Sequence, residues 1–484
     1  MRLKAYAPVQ RVVGVLLAFI SLGFLPPLIV SFVTQDGIHL TFVASIVLIL
    51  GAGGLLYWPV RNADRDLRIS DGFLVVVACW GAVCLAGSLP FLLGLDASLA
   101  DAIFESTSGI TTTGATVFSN LNEMPTSILW YRQQLQWMGG LGIIVLAVAI
   151  LPMLRVGGMQ VYKAEATGPM KENRLTPKIA ETAKALWAIY IGLTLICAAA
   201  YWAAGMSAFD ALMHSFSTIA TAGFSTHDAS IGYYNSALIE WLVIVFVFIA
   251  SLNFALHFLA LRRASMQVYL KDPELKLFAL LVLLISILVT VLLWRQDVYG
   301  TFWDSLRSAA FHTLSYMTTT GFATSQVYLW PGTLPLLLLM ISALGGCAGA
   351  TTGGFKMIRV YLLTKQGIRE LKRLAHPRSV VPLKLGGRTL DDEVANAVWG
   401  YVSLYIVCIV VLTLVVSSLE TDLVTAVSVV FSAMNNLGPA LGEAGANWGG
   451  LSDATKGLMS FAMLLGRLEI FTILVLLTPT YWKH

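Results

Sequence analysis

Thr111-Thr112-Thr113-Gly114 recurs, letter for letter, as Thr318-Thr319-Thr320-Gly321. Two looser versions complete a set, Ala220-Thr221-Ala222-Gly223 and Asn435-Asn436-Leu437-Gly438. With the four glycines as origin, the copies are 109, 98 and 117 residues apart. Six residues before each glycine stands a serine (Ser108, Ser217, Ser315, Ser432), and two before each a small polar residue (Thr112, Thr221, Thr319, Asn436). Four before each is an apolar residue: Ile110, Ile219, Met317 or Met434. A pattern held in one register through four copies marks an internal repeat. Each unit reads as outer helix, short re-entrant helix, glycine loop and inner helix.

The medium around these loops follows from composition. Of 484 residues 57% are hydrophobic and 12% charged, with mean hydropathy +0.77. A soluble chain carries about 25% charge. Apolar runs long enough to cross a bilayer, roughly 20 residues, are expected at 12–33, 39–60, 72–95, 127–154, 185–205, 236–260, 276–295, 333–363 (interrupted), 396–418 and 456–479. Pro26-Pro27 is expected to kink or break the first of them. That run is too long for a cleaved signal. The stretches 98–110, 207–219, 303–317 and 422–434 are too short to cross. The expected fold class is therefore an all-α integral membrane protein, with two N-terminal spans over 1–68. Four pore repeats follow, over 69–182, 183–273, 274–390 and 391–484.

Charge placement orients the spans. Lys and Arg number three in 1–11, three in 61–68, six in 155–184, four in 262–276 and nine in 356–388, whereas 34–38, 94–127 and 205–236 hold none. The positive-inside rule puts the basic loops and both termini in the cytoplasm. On the opposite side Asp96, Asp101, Asp210, Asp228, Asp304, Glu420 and Asp422 are expected to make a negative mouth that concentrates cations.

Four glycine loops at membrane depth suit a permeating cation. Non-helical backbone is tolerated there only when buried in protein or lining a cavity. Carbonyl oxygens can replace a hydration shell without trapping the ion, and glycine allows successive carbonyls to face one axis. Each re-entrant helix also aims its partly negative end at the centre. The candidate ion ligands are Thr111, Thr112, Ala220, Thr221, Thr318, Thr319, Asn435 and Asn436, with backbone carbonyls preferred over threonine side chains. The loop cores carry no Asp or Glu, which argues for a monovalent ion over Ca²⁺ or Mg²⁺. The competing reading is that Gly and Thr only pack helices closely.

Residues 345–354 hold five glycines, Gly345, Gly346, Gly349, Gly353 and Gly354. They are poor helix in mid-span and are read as a movable obstruction below the loops, against the alternative of a static kink. Lys356 and Arg359 follow as cytoplasmic-edge anchors. Arg467 lies inside the last span, where a charge is costly and marks function; its possible partners are the pore, the Gly-rich segment or Glu469. Glu105, His214 and His312 share the position nine before their glycines and mark a polar site behind the re-entrant helix. The seven histidines (His39, His214, His227, His257, His312, His376, His484) form no ligand motif, and the five cysteines have no metal spacing. An integral-membrane enzyme is therefore disfavoured.

The strings 111–116, 220–226, 318–324 and 435–439, with 345–349 and Gly466-Arg467, resemble the Trk/Ktr/HKT superfamily of potassium transporters over essentially the whole chain. The resemblance implies a K⁺-selective filter with glycine in all four units, K⁺ as permeant ion and no covalent cofactor. It also implies a gating loop at 345–354 that interacts with Arg467, and a homodimer with one pore per protomer in a bacterial inner membrane. It further implies a cytosolic, nucleotide-binding regulatory subunit of the TrkA type. The chain itself has no Walker or Rossmann fingerprint, so nucleotide control would come through that partner. No nucleic-acid partner is expected, and lipid is. K⁺ symport with H⁺ or Na⁺ is the alternative mechanism.

Overall fold

The computed structural model describes residues 6–62, 68, 71–145, 176–379, 381–385, 388–390, 392–419 and 422–483. Most of the basic stretch 155–184, and Glu420, lie outside them. Helices dominate, and a two-residue antiparallel pair, Lys384–Leu385 with Arg388–Thr389, is the strand content among the described residues.

The chain begins with a 28-residue span, Ala7–Thr34, and returns through His39–Val60. The first span is interrupted at Gly23 and Phe24 and restarts with Pro26 and Pro27 in its first turn. There the missing N–H groups cost nothing. Gly14 and Gly53 bring the two helices together; a Cβ on either would lie 2.9 Å from the carbonyl oxygen of the other.

Four units follow. Their outer helices are Asp71–Gly87 continued by Leu89–Gly94, Thr176–Ala203, Pro273–Arg295 and Asp392–Leu419. Their pore helices are Leu99–Ile110, Ala208–Ala220, Phe302–Met317 and Leu423–Asn435. The third pore helix is extended by about a turn at its start. Each pore helix opens on a side-chain cap. Ser98, Ser207 and Thr301 accept from the N–H of Asp101, Asp210 and Asp304 at 3.1, 3.0 and 3.1 Å. Their hydroxyls donate back to the same aspartates at 2.9, 2.9 and 2.7 Å. The fourth unit inverts the chemistry: Asp422 accepts from the N–H of Thr425 at 2.9 Å and from its hydroxyl at 2.5 Å. These are reciprocal caps, so four carboxylates expected to charge the outer mouth are bonded at helix starts.

The inner helices differ most from expectation. The first, Thr126–Val145, carries Arg132, Gln133 and Gln136 buried against neighbouring units. The second bends by 88° between Ala237–Ala250 and Phe254–Arg263, and the fourth by 115° between Asp453–Arg467 and Phe471–Leu477. The third ends at Ile341 and resumes at Met357. The sequence marked only the third as broken. Asn253 restarts the second by accepting from the N–H of Ala255 at 2.8 Å, and Glu469 turns the fourth with a left-handed φ of 58°. Among the described residues six helices are long and apolar enough to cross a membrane, or eight if each bent pair counts as one, against ten expected runs. The two runs not counted are 127–154, of which 146–154 lie outside the described residues, and the interrupted 333–363.

Ser207→Ala removes one cap of the second pore helix and is expected to lower stability by about 1 kcal/mol. A thermal melt of the purified protein in detergent reads this, with Ser207→Thr restoring the wild-type melt.

Candidate ion-conducting site

All four pore helices end alike. The residue two before each glycine is left-handed: Thr112, Thr221, Thr319 and Asn436 have φ of 55°, 49°, 55° and 55°. The next residue donates its N–H to the carbonyl of the serine six before the glycine. These bonds are Thr113 to Ser108 at 2.8 Å, Ala222 to Ser217 at 3.0 Å, Thr320 to Ser315 at 2.8 Å and Leu437 to Ser432 at 2.9 Å. The left-handed residue itself bonds back three positions, to Gly109, Thr218, Tyr316 and Ala433. Together these are Schellman caps, with Thr or Asn where glycine is usual. The serines repeat in the sequence, but their carbonyls make these caps.

The loops then close a ring. Gly114, Gly223, Gly321 and Gly438 have φ of 79°, 81°, 78° and 98°. A side chain on Gly114 would strike the carbonyl of Ala222, and one on Gly223 that of Thr320. One on Gly321 would strike the carbonyl of Leu437, and one on Gly438 that of Thr113. Each glycine thus abuts the carbonyl preceding the next unit's glycine, in cyclic order. A cavity of about 510 Å³ borders the ring and is lined by all four glycines. Of the carboxylates expected at the mouth, Asp228 alone among the described residues lines it.

Side chains that the sequence offered as ligands are largely engaged with protein. Thr111 and Thr318 donate to carbonyls one turn back at 2.6 and 2.7 Å, and pair with Thr113 and Thr320 at 2.8 Å. The Asn435 side-chain amide oxygen accepts from the Tyr405 hydroxyl at 2.7 Å. Asn436 donates to Thr113 at 3.0 Å, joining the fourth unit to the first.

Polar groups behind the pore helices hold each loop's return. Glu105 accepts from the N–H of Val117 at 3.1 Å and from Thr116 at 2.9 Å. His214 bonds Ser225 at 2.8 Å, and His312 accepts from the N–H of Thr324 at 3.3 Å. The fourth unit has Val429 at that position, and its neighbour Ser428 accepts from the N–H of Leu441 at 2.9 Å. Glu105 is fully buried and paired with Arg132 at 2.8 Å. Arg132 also donates to the carbonyl of Ser225 at 3.2 Å and lies over the Phe224 ring at 4.3 Å, tying the first unit to the second. Gln136 grips the second loop at two points, donating to Ala222 at 2.6 Å and accepting from Phe224 at 3.1 Å.

The Gly-rich segment packs against the left-handed residues. Thr351 meets Thr221 at 2.9 Å, Gly353 donates to the Thr319 hydroxyl at 2.7 Å and Gly354 to the Asn435 carbonyl at 3.1 Å. Cys347 donates to Ser251 at 2.9 Å, in the break of the second inner helix, and Ala348 to Glu274 at 2.7 Å. Gly345, Gly349 and Gly354 have φ of 69°, 79° and 70°. Lys356 is buried and donates to the Thr352 carbonyl. Arg359, also buried, pairs with Glu469 at 2.5 Å. These two are not edge anchors, because burial obliges both to find partners inside the protein. Glu469 takes Arg359 and not Arg467, as expected for residues two apart on one chain. Arg467 is buried at the end of its helix, and its Nε and Nη2 make no protein hydrogen bond.

The family model described as "TrkH: Cation transport protein" matches residues 38–483. The chain belongs to the TrkH family. It is 49% identical to the Trk system potassium uptake protein TrkH of Halomonas elongata, covering 98% of this chain and 99% of that protein. It is 36% identical to TrkG of Escherichia coli, covering 98% of each. The crystal structure of the potassium transporter TrkH from Vibrio parahaemolyticus superimposes with a TM-score of 0.92 at 47% identity, covering 99% of this chain and 100% of that one. The named relatives are transport proteins and not enzymes.

In this TrkH-family chain the four glycines close one ring with the carbonyls of Thr113, Ala222, Thr320 and Leu437; the eight candidate ligands stand just before them at the helix ends, and the Gly-rich segment bonds to Thr221, Thr319 and Asn435. Sequence reading missed Arg132, Gln136 and Gly139. Arg132 was visible as a lone charge in a predicted span, the same signal that singled out Arg467. Gly139 shows no pattern; a side chain there would strike the Ile110 carbonyl at a pore-helix end.

Arg132→Leu leaves Glu105 buried without its counter-charge and is expected to cost about 3–5 kcal/mol. Glu105→Gln with Arg132→Leu should recover most of that loss, which fluorescence-monitored thermal unfolding would detect.

Proposed function

We propose that this chain takes up K⁺ through a pore along the axis of the four-glycine ring. In this reading its membrane is the bacterial inner membrane, with both termini cytoplasmic. The observation that carries the reading is the cyclic contact of each glycine with the carbonyl preceding the next. Four such carbonyl strands surround one axis without a fixed charge, which suits a partly dehydrated monovalent cation. The engaged side chains of Thr111, Thr318 and Asn435 favour backbone carbonyls as the ligands. The relatives are named as potassium uptake and potassium transport proteins, and potassium comes to this chain by that likeness.

The segment 345–354 is the gate in this reading. Its hydrogen bonds run to Thr221, Thr319 and Asn435, so any movement of the segment alters the ring's inner support. Arg467, with donors free of protein bonds, keeps cation binding below the ring weak. Homodimer formation, a TrkA-like nucleotide-binding partner on the basic face and the repeat boundaries given above belong to the same proposal.

Flux into liposomes under a K⁺ gradient tests it, with pH and Na⁺ varied independently. Uptake indifferent to both fits a channel-like pore; obligatory dependence on either would replace that mechanism by symport. Gly114→Ser pushes a side chain against the Ala222 carbonyl and is expected to weaken selection of K⁺ over Na⁺; unchanged relative permeability would remove this ring as the filter. Deleting 346–352 is expected to raise basal flux, and a folded deletion protein without that rise would end the gating assignment.

A further inference from the structure

The two N-terminal helices take no part in the ring, yet a cavity of about 520 Å³ lies along them. One wall is Val15, Ala18, Leu22 and Leu25, and the other is Ile46, Leu50, Gly54 and Tyr57. Both walls are single helical stripes, since their members recur every three or four residues. At the same end of the groove each helix adjoins an arginine, the second across the 3₁₀ turn Trp58–Val60. Arg11 stands one turn before Val15, and Arg61 one turn after Tyr57. Both arginines are exposed, and the Arg61 guanidinium lies 4.2 Å over the ring of Trp58. The close approach at Gly14 and Gly53 forms the floor.

The dimensions match one leaflet. From Gly14 to Leu25 the helix rises roughly 16 Å at about 1.5 Å per residue, close to half of a hydrocarbon core about 30 Å thick. The groove therefore starts at an interface marked by two guanidinium groups and ends near the bilayer centre. We propose that it holds one acyl chain of an anionic glycerophospholipid whose phosphate is bound between Arg11 and Arg61. An acyl chain gains little by leaving one apolar medium for another, so the arginines must supply the preference. A second copy fits less well. A twofold axis along the membrane normal would set the same two arginines of each copy at one depth, four like charges together.

The test uses the full-length chain in phosphatidylcholine liposomes. Each preparation contains a trace of photoactivatable phosphatidylglycerol or photoactivatable phosphatidylcholine, and cross-linked peptides are mapped by mass spectrometry. The phosphatidylglycerol probe is expected to label peptides spanning 11–25 and 46–57 about ten-fold more than the phosphatidylcholine probe, from two arginines near the surface. R11Q/R61Q, with an unchanged melt, should bring the two probes level. Ala18→Trp, which fills the groove and keeps both arginines, should reduce labelling by both. Equal labelling of the wild-type chain by the two probes overturns the proposal, and this comparison needs no variant to fold. So does undiminished phosphatidylglycerol labelling in R11Q/R61Q. Efficient disulfide cross-linking between Ala18→Cys chains would put a second copy in the groove instead.

Discussion

Four backbone strands approach one another so closely at the ring that no Cβ fits at Gly114, Gly223, Gly321 or Gly438. That contact constrains everything around it. The strands reach it only if each pore helix stops abruptly, and each stops on a left-handed Thr or Asn. A left-handed non-glycine residue is costly and persists where surroundings fix it. Here the two Schellman bonds of each cap and the polar clamps behind the helices do so. Removing water from this region gives each of those hydrogen bonds more weight than it would have at a surface.

The inner helices meet this region in two ways. The first runs unbroken over Thr126–Val145 and approaches its pore-helix end at Gly139, whereas the third reaches two pore-helix ends with N–H groups freed by its break. Breaks at 251–253, 342–356 and 468–470 expose backbone groups in the interior. Some of these are used: the Gly-rich segment bonds to the second inner helix's break and to the ring at once. The buried charges Arg359 and Glu469 pair beside it. A segment satisfied by two partners in different units is sensitive to the position of each.

Much of this was legible in the chain. The register of serine, small polar residue and glycine located the ring, and the pore helices begin and end within about a residue or two of where the pattern put them. The reading of individual residues was less faithful. What the four serines share in the fold is the carbonyl that takes the cap bond, a backbone role that sequence does not display; their side chains diverge, Ser217 donating to Gln136 and Ser315 to the Phe322 carbonyl. Four outer aspartates looked like a charged mouth. Three of them stand three residues after Ser98, Ser207 and Thr301, which is a capping spacing, and the fourth, Asp422, is itself the cap for Thr425. The bends at Ser251 and Leu468 are not legible because no proline stands near either and both runs stay apolar on average; Asn253, a good N-cap inside an apolar run, is the available signal.

By itself the sequence determined the medium, the number of units and the place of each glycine. Those follow from hydropathy, charge and spacing, properties carried by each segment alone. Only the tertiary structure decided which carbonyl each glycine meets, which unit Arg132 ties to its neighbour, and that Glu469 takes Arg359 as its partner. These are relations between segments as many as 325 residues apart, as from Thr113 to Gly438. Chain-local periodicity contains no information about which neighbour closes the ring; packing four such units against one another does.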